Sequence, residues 1–148
     1  LEEAEQVDNR MTVDSLKVCL NNLEQKYSKN KELRNKFKGD PIQYADSEAD
    51  LHEEIKVLQR IAAYPDLITT FLDHKGVEIL INLLQHENID IVSDSLIVID
   101  EITDSDFLQE IENPKEFLEY FISNNIFELL VNSLYRLNEK NKDEVKSI

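Results

Sequence analysis

"FLDHKGVEILINLL" at residues 71–84 and "FISNNIFELLVNSL" at residues 121–134 are two copies of one pattern. They superimpose without a gap at an offset of 50 residues. The identical pairs are Phe71/Phe121, Glu78/Glu128, Leu80/Leu130, Asn82/Asn132 and Leu84/Leu134. Self-similarity at such a period is typical of helical solenoids, in which each unit buries its apolar face only against its neighbours.

The sequence around both copies predicts helices. Only 2 glycines and 3 prolines occur in 148 residues, and apolar residues recur at three- and four-residue steps, as at Leu51, Ile55 and Leu58. Gly76 lies between two such segments, where a helix-to-helix turn is expected. We predict helices at 12–27, 29–37, 41–45, 47–63, 65–74, 76–86, 88–103, 114–123, 125–137 and from about 142 onward.

Two prolines mark predicted helix starts. Asp40 precedes Pro41 and Asn113 precedes Pro114, so each pair places a capping side chain before a proline that fits the first helical position. Glu116, three residues after Asn113, completes the spacing of a capping box.

Each copy of the repeat follows a short predicted helix and precedes a longer one, and the second copy is cut off at "KDEVKSI". This is the armadillo or HEAT plan, so we predict an all-α, armadillo/HEAT-like α-solenoid fragment with an amino-terminal helical cap. The predicted parts are an acidic, flexible amino end at 1–11, the helical cap region at 12–63, a first armadillo-like repeat at 64–104 and a truncated second repeat at 105–148. The carboxyl end should then expose core residues at Phe127, Leu130, Leu134, Val145 and Ile148. The missing initiator Met also predicts a piece of a longer protein.

The charge of the chain limits its partners. With 31 acidic and 16 basic residues the net charge is −15, and such a field repels nucleic-acid backbones and anionic membranes. Basic protein segments are the favoured partners. No apolar run approaches the length of a membrane helix.

The first predicted helix has an apolar face with 3-4 spacing over two heptads. Two heptads are fewer than a coiled coil needs, so docking onto the solenoid is favoured over a coiled-coil dimer. Cys19 lies on this face, which predicts a buried structural thiol. As the only cysteine it cannot form an internal disulfide, which suits a reducing compartment.

Searches for catalytic and metal-binding motifs fail at specific positions. "HEEIK" at 52–56 has Lys56 where a zinc-protease helix needs its second His. The segment from Asp104 has Gln109 where a calcium loop needs Gly. We therefore predict no enzymatic activity, no cofactor and no metal.

One helix face is a candidate partner groove. In "DIVSDSLIVIDEITD" at 90–104 the core is expected to take Val92, Leu96 and Ile99. The remaining stripe could receive an extended basic peptide, or it could be only a solvated acidic face. Its residues are Asp90, Asp94, Ile97 and Glu101.

A basic stretch interrupts the acidic chain between Lys26 and Lys38, where six basic residues face one acid, Glu32. Three interpretations stay open: a structural cap that offsets neighbouring carboxylates, a protein-docking patch, or an RNA contact. RNA-binding surfaces usually interleave exposed aromatics with the charges, and here Phe37 is expected to be buried. The candidate patch comprises Lys29, Lys31, Arg34, Lys36 and Lys38.

Residues 27–104 resemble the amino-terminal region of the beta-catenin-like protein 1 family of nuclear armadillo-type proteins. The resemblance rests on "KNKELRNKF", "SEADL", "PDL", "GVEILINLLQHENIDI" and "EITD", in that order. It implies a nuclear, non-catalytic scaffold associated with the spliceosome, whose partners are proteins of the NineTeen complex with basic segments. Armadillo proteins that import nuclear cargo carry Trp and Asn where this chain has Ile97 and Glu101, so any basic partner should be held by carboxylates and shape.

Overall fold

A computed structural model describes residues 10–146, and it describes side chains up to residue 143. The described chain is all-α and contains no strand, as predicted. Its α-helices are α1 (Val13–Lys36), α2 (Ala45–Gln59), α3 (Ile68–Asp73), α4 (Gly76–Leu84), α5 (Ile89–Ile102), α6 (Ser105–Glu110), α7 (Pro114–Ser123) and α8 (Ile126–Lys146). Short 3-10 turns occupy Pro41–Gln43, Arg60–Ala63 and Pro65–Leu67. Most of the predicted amino end, 1–11, lies outside the described residues.

Helix α1 is continuous, so the predicted division into 12–27 and 29–37 is wrong. It begins with a capping box, in which the Ser15 amide donates to Thr12 Oγ1 at 3.1 Å and the Thr12 amide donates to Ser15 Oγ at 2.8 Å. The segment 28–30 contains neither Gly nor Pro. Asn30 points inward and is fully buried. Its side-chain oxygen bonds His86, in another part of the fold, instead of competing with the helix backbone.

The two copies of the repeat begin with the same backbone turn. Lys75 and Asn125, related by the 50-residue offset, are the only described non-glycine residues with positive φ, both at 61°. The expected turn near Gly76 is therefore present, although Lys75 supplies the left-handed residue. Gly76 has another role, because a Cβ there would lie 2.3 Å from ring atoms of Phe71.

The predicted helix starts at Pro41 and Pro114 are only partly confirmed. Pro41 and Pro114 do occupy first helical positions, but neither Asp40 nor Asn113 caps with its side chain, so the capping box with Glu116 is not formed. Their ψ angles of 80° and 67° lie outside the extended region that a cap requires.

Helix α8 runs without a break through the region that corresponds to the α4–α5 turn. The predicted separate helix from about 142 is therefore wrong. In the first copy, the amide of Asn88 donates to His86 Nδ1 at 2.9 Å and closes the turn. The counterpart of His86 is Arg136, which has no acceptor atom and cannot close such a turn.

The core lies where α1 and α2 pack on each other, with α3 and α4 against α1, and α5 against α2 and α4. Short α6 was missed in the sequence, and it adds buried Phe107. At the carboxyl end Phe127 is 64% and Leu134 63% exposed, as predicted. Leu130 is half-buried, while Val145 and Ile148 lie outside the described side chains.

Candidate interaction surfaces

The predicted groove stripe lies along α5 and is only partly open. Ile97 is 45% exposed. Asp90 is also exposed, and its Oδ1 accepts from Lys140 Nζ of α8 at 2.7 Å.

The other two carboxylates of the stripe face α2. His52 Nδ1 contacts Asp94 Oδ2, and Gln59 Nε2 donates to Glu101 Oε1 at 3.0 Å. Asp94 and Glu101 are half-buried, so the expectation that the whole stripe is exposed is wrong at these two positions. The physical reason is that α2 lies beside α5 and supplies polar partners. Peptide binding at the stripe stays a prediction.

A larger set of carboxylates surrounds two adjoining grooves. One groove, of about 530 Å³, lies between the Arg60–Ala63 turn and the α5–α6 junction. The other, of about 500 Å³, lies between α3 and the α6–α7 junction. Both are lined by Pro65 and Glu110. Asp104, one of the carboxylates there, also caps α6 by accepting from the Asp106 amide at 2.9 Å. We call the lining carboxylates that have no side-chain partner among the described residues the acidic edge: Asp66, Asp73, Asp100, Asp104, Asp106, Glu110, Glu112 and Glu116.

The acidic edge differs from the stripe in its lack of cations. Among the residues whose side chains are described, no Lys, Arg or His nitrogen lies within 4.0 Å of its carboxylate oxygens. Buried Ile68, Ile111 and Phe117 form the apolar floor of the second groove. The sequence contains a signal for this edge, because the run from Asp100 to Glu116 holds seven acids and one Lys.

Arg34, one residue of the candidate basic patch, is a structural clamp. Its side chain is 18% exposed, and both Nε and Nη2 contact Glu48 Oε1 of α2. Its Nη1 donates to Glu87 Oε2 at 2.8 Å. The guanidinium carbon also lies 4.5 Å from the centroid of the Tyr44 ring.

The rest of the basic stretch is divided between structure and solvent. Lys26 pairs with Glu54 Oε2 at 2.7 Å, and this bond raises the pKa of Lys26. Four lysines remain exposed, and the ammonium of one of them lies 5.2 Å from the half-buried Phe37 ring. These four are Lys29, Lys31, Lys36 and Lys38.

A buried polar cluster joins α1 to the α4–α5 turn. His86 is buried, and its Nε2 lies 2.6 Å from Oδ1 of Asn30. The Asn88 side-chain amide donates to Glu48 Oε2 at 2.7 Å, and Arg136 Nη2 of α8 donates to the carbonyl of His86 at 2.7 Å. Sequence spacing gave no signal for this cluster, because its members come from distant parts of the chain.

The chemistry at Cys19 agrees with a structural thiol. The residue is buried, and burial raises the pKa of its thiol far above the usual range, with Glu54 acting in the same direction. The thiol therefore stays protonated and is not a nucleophile. The described residues contain no group of three metal-ligating side chains. Within residues 10–146, no helix is both long and apolar enough to cross a membrane.

The repeated helical units and the paired left-handed turns define an armadillo-type helical-repeat protein. A family model described as "Catenin-beta-like, Arm-motif containing nuclear" matches residues 1–148, and the chain belongs to this family. It is 33% identical over 135 residues to beta-catenin-like protein 1 of Homo sapiens. It is 32% identical over 143 residues to the beta-catenin-like protein 1 homolog of Schizosaccharomyces pombe. These matches cover 90% and 97% of this chain but only 24% and 25% of the relatives, so the chain spans about a quarter of their length.

Proposed function

We propose that this chain is a non-catalytic protein-interaction module that binds basic segments of other proteins. The observation that carries the proposal is the acidic edge, whose eight carboxylates line two grooves without a cation beside them in the described structure. A basic segment would gain charge-assisted hydrogen bonds there without displacing a side-chain partner. The net charge of −15 adds long-range attraction for the same partners.

The predicted stripe on α5 is a weaker site for such a segment. A Lys or Arg of the partner would have to compete with Lys140, His52 and Gln59 for the carboxylates. Exposed Ile97 could still contact an apolar side chain of a peptide that extends along α5.

We further propose that the module acts in the nucleus as a scaffold associated with the spliceosome. Membership of a family described as nuclear supports the compartment. The proposed partners are NineTeen complex components with basic segments, since these match the charge of the acidic edge. Recovery of such proteins from nuclear extract after nuclease treatment, by this chain and by a full-length relative, would support direct protein contacts. Recovery only while RNA is intact would contradict them.

Binding at the acidic edge is tested by charge reversal. The probe is a fluorescein-labelled, Lys- and Arg-rich peptide of about ten residues, read by anisotropy. Replacing Asp100, Asp106 and Glu110 by Lys should weaken binding at least about tenfold, because each exposed ion pair contributes about 0.2–1 kcal/mol and reversal adds repulsion.

The matched control carries the same change in charge at exposed positions of α1 and α2 that line neither groove of the acidic edge. The Asp14→Lys, Glu32→Lys, Glu53→Lys variant alters three exposed residues and should weaken binding less than about threefold. Equal losses in the two variants would show that only net charge matters and would remove the acidic edge as a site.

An RNA contact through the exposed lysines is the alternative function. Three exposed lysines lie on α1 and a fourth, Lys38, follows it, which is the observation in its favour. Against it, Arg34 is engaged by Glu48, Tyr27 packs edge-on against His86 at 6.2 Å, and Phe37 is half-buried. Neither aromatic of the basic stretch is therefore fully exposed beside the charges. The RNA alternative predicts an RNA affinity that falls steeply with salt concentration and is lost when the four lysines are replaced by Gln.

A further inference from the structure

The protonation state of His86 can be assigned from its neighbours. The backbone amide of Asn88 can only donate, and it lies 2.9 Å from His86 Nδ1, so Nδ1 carries no proton. The neutral ring therefore has its proton on Nε2, which donates to Asn30 Oδ1 at 2.6 Å. Both ring nitrogens are satisfied only while His86 is neutral.

The neutral ring connects separate parts of the fold. Asn30 belongs to α1, and Asn88 is the residue that caps α5 through the amide of Asp90 at 2.9 Å. The turn between α4 and α5 thus closes on His86 and is bonded to α1 by the same ring. Protonation of Nδ1 would place two N–H groups against each other and remove the bond from Asn88.

Charged groups around the ring come from every element packed against it. Arg34 of α1 and Arg136 of α8 disfavour a positive ring, while Glu48 of α2 and Glu87 of the turn favour it. Burial is the largest influence, and the net result is a lowered pKa for His86. Tyr27 covers one side of the ring with an edge contact.

We propose that the turn at residues 85–88 is a proton-sensitive latch, which neutral His86 holds closed against α1 and which charged His86 opens. When the turn opens, the carboxyl half of α1, residues 28–36, loses the bond that Asn30 Oδ1 accepts from His86 and the contact of Arg34 with Glu87 of the turn. Only the contact of Arg34 with Glu48 of α2 remains among these polar bonds, so this half is held less firmly. This half carries three of the four exposed lysines, so the latch controls how rigidly they are presented.

The direction of the pH effect follows from the two states. In the open state the ring is solvated and has an ordinary pKa, near 6.5, whereas the closed state resists protonation. The ratio of closed to open molecules is therefore constant above that value and falls as pH decreases below it, by up to about tenfold per pH unit. The decrease stops once pH falls below the lowered pKa of the closed state.

Amide hydrogen exchange tests the latch, with rates divided by the intrinsic rate at each pH. Between about pH 7.5 and about pH 5.5, protection of residues 28–36 and 86–92 should fall while residues 51–58 of α2 keep theirs. In His86→Gln, whose amide can accept from Asn88 and donate to Asn30 without titrating, the local loss should disappear. His52→Gln and His74→Gln are matched controls and should behave like the unaltered chain.

Two results would overturn the proposal. One is the same local pH dependence in His86→Gln as in the unaltered chain, and the other is a uniform loss of protection along the chain. Should His86→Gln fail to fold, the ring of the unaltered chain is titrated by NMR. A midpoint at the ordinary value near 6.5 would exclude the latch, and a depressed midpoint that coincides with local opening would support it.

Discussion

Replacing Arg34 by Met separates a structural from a functional role of the basic stretch. Met keeps much of the apolar stem but removes the guanidinium from Glu48, Glu87 and Tyr44. Glu48 is 14% exposed and would keep only the bond from the Asn88 side chain. Its carboxylate would thus be left largely buried without a cation.

The magnitude follows from how deeply the pair is buried. Breaking a fully buried ion pair costs about 3–5 kcal/mol, and the residual exposure of both side chains reduces this to about 2–3 kcal/mol for Glu48. The exposed contact with Glu87 adds little, about 0–1 kcal/mol. For a chain of this size, a loss of about 2–3 kcal/mol lowers Tm by roughly 4–12 °C.

Urea unfolding followed by circular dichroism measures the loss. Lys29→Met is the matched control, because Lys29 is exposed on the same helix, and it should change the free energy of unfolding by less than about 0.5 kcal/mol. Adding Glu48→Gln to Arg34→Met should cost less than the two single changes together, since no buried charge is left unpaired. An Arg34→Met variant as stable as Lys29→Met would refute the clamp.

Further predictions concern packing and reactivity. Gly76→Ala should lower the free energy of unfolding in urea by about 1–3 kcal/mol, because the new Cβ meets a buried ring. Gly39→Ala has open space around its Cβ and should lower it by only about 1 kcal/mol, because of the positive φ. Equal losses would contradict the ring contact. Leu84→Ala should lower the free energy of unfolding by about 2–5 kcal/mol, and Leu134→Ala, at the exposed counterpart, by less than about 1 kcal/mol. Similar losses would contradict the exposure of Leu134. Cys19 should react with a thiol reagent only after unfolding, and rapid modification of the native chain would contradict its burial.

The repeat made the helical architecture predictable. An offset of 50 residues in the sequence corresponds to matching left-handed turns at Lys75 and Asn125. Local apolar spacing was sufficient to predict α2, α4 and α5, because each of these helices buries a continuous apolar stripe. The predicted exposure of Phe127 and Leu134 is also confirmed.

What the sequence did not predict depends on contacts between distant residues. Asn30 keeps α1 continuous because it bonds His86, 56 residues away. The clamp at Arg34 likewise uses Glu48 and Glu87, which are 14 and 53 residues away. Such pairs depend on the relative placement of helices, which spacing along one helix does not determine.

The candidate partner groove on α5 also depends on contacts that the sequence does not reveal. Helical spacing correctly placed Asp94 and Glu101 on one face of α5, but it could not show that α2 lies against that face. The acidic run from Asp100 to Glu116 was visible in the sequence. Its arrangement around two grooves depends on how α3, α6 and α7 meet, and this required the structure.

The most direct test of the proposed function is to map a basic peptide onto the isotope-labelled chain by NMR. The largest chemical-shift changes should fall in residues 66–73 and 100–116, saturate with the same affinity, and disappear in the variant with Asp100, Asp106 and Glu110 replaced by Lys. Changes confined to α5 residues 90–97, or no saturable change at all, would contradict recognition of basic segments by the acidic edge.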